Sequence, residues 1–118
     1  MLNALIVDDS AFMRSQMKKA LEAIANIIGE AANGKEAISQ YKDLKPDFVM
    51  MDITMPELSG LDALIQIVDF DPGARVIMCS TLGNEEKITE CIEEGAKAFV
   101  VKPYSPDKIK ETVQKVCV

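Results

Sequence analysis

The chain has 118 residues, the size of one domain, and 48% of them are hydrophobic, enough for an apolar core without staples. A net charge of −6 argues against a nucleic-acid partner gripped through its phosphates and suits a cation or a basic protein patch. There is no histidine, which excludes Ser-His-Asp and Cys-His catalysis, most transition-metal sites and a phosphohistidine-carrier role.

The first element in chain order is the short apolar run Asn3–Asp9, a strand ending in two acids. A helical period follows through Met13, Met17, Ala20 and Ile24, with Arg14, Lys18 and Lys19 on other faces. Asn26–Ala31 reads as a second strand. Asn33-Gly34 turns the chain into a helix marked by Ala37, Ile38, Tyr41 and Leu44, which stops before Pro46. Asp47–Asp52 is a third strand, and Ser59-x-x-Asp62 resembles a capping box opening the next helix. Ala74–Ser80 is a fourth strand. Asn84 is expected to cap the helix after it, Glu85 and Glu86 suit that helix's positive end, and Gly95 fits its C-terminus. Ala98–Val101 is a fifth strand, and Ser105-Pro106 starts a last helix with Ile109, Val113 and Val116 on one face.

Five strand–helix units with short connections predict a single α/β domain over residues 1–118. The strands are continuous apolar runs, so both sheet faces are expected to be covered, giving a parallel sheet between two helical layers. Cys79, Cys91 and Cys117 are odd in number and far apart, which gives no disulfide framework or zinc site and fits apolar fillers in a reducing compartment. No run of about 18 apolar residues and no secretory or lipidation pattern occurs, so a cytoplasmic protein without membrane attachment is expected.

All strands of such a sheet point their C-terminal ends to one edge, where sites form. Asp8 and Asp9, Asp52, Ser80 and Lys102 all fall on those ends. Each alone has a plain reading: the acids as caps or turn formers, Ser80 as a satisfied hydroxyl, Lys102 as a solvated lysine. Their coincidence on one edge favours a site, with Asp52 emerging at the rim and not buried in the core. Two carboxylates about 4 Å apart repel by about 1 kcal/mol in water and about 4 at intermediate dielectric, so a raised pKa, a divalent cation or Lys102 must offset the cluster. Oxygen-only ligands select a hard cation such as Mg²⁺. The segment Gly29–Glu36 nearly matches a phosphate-binding loop, but Glu36 stands where a hydroxyl is needed, so a turn feeding a helix is expected there. Met50, Met51 and Met78 are expected in the core, and Glu90, Glu93 and Glu94 on a solvated face.

The blocks "LIVDDSAFMR", "VMMDITMPELSGLDAL", "VIMCS" and "AFVVKP" resemble the receiver domain of two-component response regulators, nearest to the chemotaxis regulators, over the entire chain. The resemblance implies a flavodoxin-like (βα)5 sandwich with strand order 2-1-3-4-5. It implies that Asp52 accepts a phosphoryl group from a histidine kinase. Asp8, Asp9, Asp52 and the Thr54 backbone carbonyl would hold Mg²⁺, and Lys102 would pair with the phosphoryl oxygens. Ser80 would move to bond that group and Phe99 would turn inward with it, with a plain core phenylalanine as the competing reading. Pro103 would follow a cis peptide. The helix–strand–helix surface over Asn84–Val116 would engage a target protein, such as the flagellar motor switch, with a phosphatase as a further partner and a monomer as the working unit. Thr81 departs from the family's usual small residue, and is expected to narrow access to Asp52.

A stand-alone switch is the leading expectation, because the chain ends at Val118 directly after the last helical period. The alternative is the receiver of a longer methylesterase or transcription factor. An aspartyl-phosphate phosphohydrolase is disfavoured: Asp8-Asp9-Ser10 lacks the D-x-D spacing and there is no cap domain. A scaffold with a silent acid cluster would show no Mg²⁺ effect on stability.

Overall fold

A computed structural model describes every residue except Leu82, Tyr104 and Val118, so the expected domain end at Val118 lies outside the described residues. The strands are β1 (Leu2–Val7), β2 (Ala25–Ala31), β3 (Phe48–Asp52), β4 (Val76–Ser80) and β5 (Ala98–Val101). The helices are α1 (Ala11–Leu21), α2 (Gly34–Leu44), α3 (Gly60–Phe70), α4 (Glu85–Glu93) and α5 (Pro106–Val116). All pairings are parallel, in the order β2-β1-β3-β4-β5. This is the flavodoxin-like arrangement that the resemblance implies.

Side chains of the central strands alternate between two apolar layers. Leu5, Val7, Val49, Met51, Val76 and Met78 pack with residues of α2, α3 and α4, whereas Ala4, Ile6, Phe48, Met50, Ile77 and Cys79 pack with α1 and α5. Both faces of β1, β3 and β4 are thereby dry, which is why their sequences are unbroken apolar runs. The edge strands are less covered. None of the described helices is long and apolar enough to cross a membrane.

Helix starts follow the local chemistry in four cases out of five. The side chains of Ser10, Asn33, Ser59 and Ser105 accept from the backbone N–H three residues on, opening α1, α2, α3 and α5. Asn33 and Glu36 form the reciprocal version, since Glu36 accepts from the Ala32 N–H, so the near-match to a phosphate loop is a helix start. Asn84 departs from expectation. It occupies the N-cap position of α4, but its backbone is not extended and its side chain makes no capping bond, its Nδ2 donating to Ser80 Oγ. Gly95 closes α4 at φ 110°, a conformation that favours glycine.

The strand order reverses between β1 and β3, and the crevice beyond their C-terminal ends is where an open parallel sheet places ligands. The β3–α3 connection is pressed tightly against this crevice. The Gly60 N–H donates to the Ile53 carbonyl at 2.7 Å, and the Gly34 N–H donates to the Leu58 carbonyl at 3.1 Å. A Cβ on Gly60 would fall inside the van der Waals envelope of the Asp52 carbonyl oxygen.

Candidate functional site

Beyond the end of β1, Asp8 is almost completely buried while Asp9 is exposed. The Asp8 backbone is fastened on both sides: its N–H donates to the Ala31 carbonyl, and its carbonyl accepts from Arg14 Nη1. Its carboxylate accepts from the Ser10 N–H at 2.9 Å through Oδ1 and from Lys102 Nζ at 2.9 Å through Oδ2. Lys102, just past β5, also lies 3.2 Å from Asp52 Oδ1. One oxygen each of Asp8, Asp9 and Asp52 falls within 4.8 Å of the others. Three strand ends thus deliver the acid trio and its lysine to one recess.

Asp52 is only 8% exposed. This corrects the expectation of a rim residue outside the core: the site is a recess in the sheet edge, closed in by the β3–α3 connection. Burial pushes the Asp52 carboxyl above its ordinary value, Lys102 opposes that shift, and the charges of Asp8 and Asp9 reinforce it. Burial works against the Lys102 charge, but Asp8 and Asp52 more than offset this and hold its ammonium above the ordinary lysine range. Three carboxylates and one ammonium leave the recess with a formal charge of −2 when all are ionised.

Ser80 ends β4 and is buried, but its hydroxyl does not point to the acids. Ser80 Oγ donates to the Thr81 carbonyl at 3.0 Å and accepts from Asn84 Nδ2 at 2.9 Å. Phe99 is 43% exposed, so the reading of a plain core phenylalanine fails. It lines a groove between α4 and β5 with Thr81, Gly83, Asn84, Ile88 and Val101. Thr54 and Thr81 are both exposed, and the Lys102–Pro103 peptide is cis. Cys79 and Cys91 are buried, as expected of fillers, while Cys117 is partly exposed.

Two participants escaped the sequence reading. Arg14 looks like a solvated helix residue, yet one turn into α1 it reaches back to the Asp8 carbonyl and to Glu30 on β2. The Asn84–Ser80 bond was hidden because asparagine before a helix is the ordinary cap. Both depend on contacts between elements, and no local pattern announces them.

The family described as the response regulator receiver domain matches residues 4–114, and the chain belongs to it. It is a phosphorylation-activated response-regulator switch of the chemotaxis class. Its relatives include the chemotaxis protein CheY of Thermotoga maritima, 50% identical over 95% of this chain and 94% of that one. The chemotaxis protein CheY of Listeria monocytogenes is 47% identical over 98% of both chains. Among solved structures, a chain of the CheX–CheY–BeF3–Mg²⁺ complex from Borrelia burgdorferi superposes with a TM-score of 0.94 at 43% identity, covering 99% of this chain and 90% of that one.

Proposed function

We propose that Asp52 is the phosphoacceptor of this switch and that Asp8, Asp9, Asp52 and the Thr54 carbonyl hold a Mg²⁺ ion. The observation that carries this reading is the convergence of three acids and Lys102 in one recess. Among the acids, the Asp8 carboxylate is occupied by the Ser10 N–H and Lys102, and Asp9 stands exposed. Asp52 is the acid that is recessed and held by Lys102 alone among the described side chains.

The donor set fits a hard divalent cation: every candidate ligand is an oxygen, the spacing suits a common ion, and the recess is two charges short of neutral. Bound there, Mg²⁺ supplies charge neutralisation and alignment for phosphoryl transfer. An Asp52 oxygen attacks the phosphorus of a kinase phosphohistidine, the P–N bond breaks, and the electron pair leaves with the imidazole nitrogen. Lys102 Nζ, already placed between Asp8 and Asp52, pairs with the phosphoryl oxygens. Ser80 leaves its present bonds to donate to the phosphoryl group, and Phe99 moves from its exposed position into the adjoining groove.

The switch works in the cytoplasm and as a monomer, a reading supported by its likeness to chemotaxis proteins CheY. Its phosphodonor is a histidine kinase and its target a flagellar motor switch component. The CheX–CheY complex supports a phosphatase as a further partner. Incubation with acetyl phosphate and Mg²⁺ followed by intact mass spectrometry tests the core of this reading. Wild type gains one phosphoryl group and Asp52→Asn gains none. Labelling of another residue overturns the assignment.

A further inference from the structure

Four of the five helices open with a side chain spent on their own backbone, and α4 does not. Asn84 has the right identity and position to cap it, yet Asn84 Nδ2 is 2.9 Å from Ser80 Oγ instead. The Ser80 hydroxyl hydrogen is in turn spent on the Thr81 carbonyl. The hydroxyl is therefore satisfied as donor and as acceptor while turned toward α4. Moving it toward Asp52 breaks both bonds and frees the Asn84 amide. Space for that exchange exists: Asn84 faces the groove shared with Ile88, Phe99 and Val101, and among the described residues, chain neighbours aside, nothing lies within 4 Å of where a Cβ on Gly83 would sit, at φ 97°.

We propose that Asn84 is a positioning residue that acts through Ser80: it holds the hydroxyl in the resting arrangement at the expense of the α4 cap, and returns to cap α4 when the phosphoryl group claims that hydroxyl. This rests on the reading of Ser80 as the hydroxyl that bonds the phosphoryl group. The restraint uses Nδ2 and the cap would use Oδ1, but the resting backbone at residue 84 lies outside the extended region an N-cap takes, so the two uses belong to different arrangements and exclude each other. A side-chain hydrogen bond and an N-cap are each worth about fivefold in an equilibrium, so the exchange is close to balanced and small changes at residue 84 shift it. Asn84 thereby links the chemistry at the sheet edge to the first turn of α4.

The two uses separate by substitution. Serine caps as well as asparagine but is too short to reach Ser80, and because the resting backbone at residue 84, φ −105° and ψ 30°, lies outside the extended region of an N-cap, serine caps only in the switched arrangement, whereas alanine neither caps nor restrains. With beryllofluoride and Mg²⁺ as the phosphoryl mimic, followed by fluorine NMR titration, Asn84→Ser is expected to bind the mimic about fivefold more tightly than wild type. Asn84→Ala, which loses restraint and cap together, is expected within about twofold of wild type. In a Ser80→Ala background the gain from Asn84→Ser is expected to vanish. A gain that persists in that background, or no gain from Asn84→Ser, overturns the restraint while leaving Asp52 as acceptor intact. Failure of wild type to take up the mimic removes the phosphoacceptor reading, and the restraint with it.

Discussion

Asp52 is pulled two ways at the end of β3. Burial and the charges of Asp8 and Asp9 favour its neutral form, Lys102 favours its ionised form, and the first group prevails. A carboxyl whose folded-state pKa lies above its unfolded value stabilises the fold most at low pH, and that contribution is lost as pH rises through the folded value. At neutral pH without divalent cation, Asp52→Asn is therefore expected to raise the melting temperature by a few degrees. Well below the ordinary value of 3.8, where Asp52 is protonated folded or unfolded, the difference should disappear. Scanning calorimetry at both pH values checks this, and a variant that melts lower than wild type at neutral pH contradicts it. Lys102 cannot remove the penalty alone because it is shared between Asp8 and Asp52. The same imbalance that costs stability prepares the recess for a cation.

At the scale of elements, the recess depends on connections that approach each other closely. Gly60 opens α3 with its Cα against the Asp52 carbonyl, a place where glycine is needed for space and not for conformation. Gly60→Ala is expected to destabilise the domain by about 3 kcal/mol, as overpacking against backbone does, and to slow phosphoryl uptake by displacing Asp52. Urea unfolding and acetyl phosphate kinetics measure the two effects, and unchanged uptake in a folded variant separates the connection from the chemistry. Arg14 serves a parallel purpose on α1, where its guanidinium joins the Asp8 carbonyl to Glu30 and so ties the end of β1 to β2. Lys18 shares Glu30, and the trio braces the strand end that carries both acids.

Across the molecule, stability is expected to be graded from the sheet centre outwards. The residues of β3 and β4 are buried throughout and packed on both faces, whereas β2 and β5 carry partly or fully exposed positions. Native-state hydrogen exchange should find the slowest amides in β1, β3 and β4, with β5 and the first turn of α4 opening at lower free energy. Equal protection of β5 and β3 would refute that gradient. A soft β5–α4 side suits a switch, since Phe99 and the uncapped end of α4 lie there while the acids sit over the rigid centre.

The order of strands and helices, the two-faced burial of the sheet and the helix starts at Ser59 and Ser105 are legible in the sequence, because each rests on periodicity or on a side chain bonding a neighbour three residues away. The coincidence of Asp8, Asp9, Asp52 and Lys102 on one edge is legible too, because parallel strands bring their C-terminal ends together. The depth of Asp52, the reach of Arg14 to the Asp8 carbonyl and the use of Asn84 on Ser80 in place of α4 were decided by the tertiary structure alone. Each depends on how elements separate in sequence come to lie against one another, and a side chain with two possible partners takes the one that packing puts within reach.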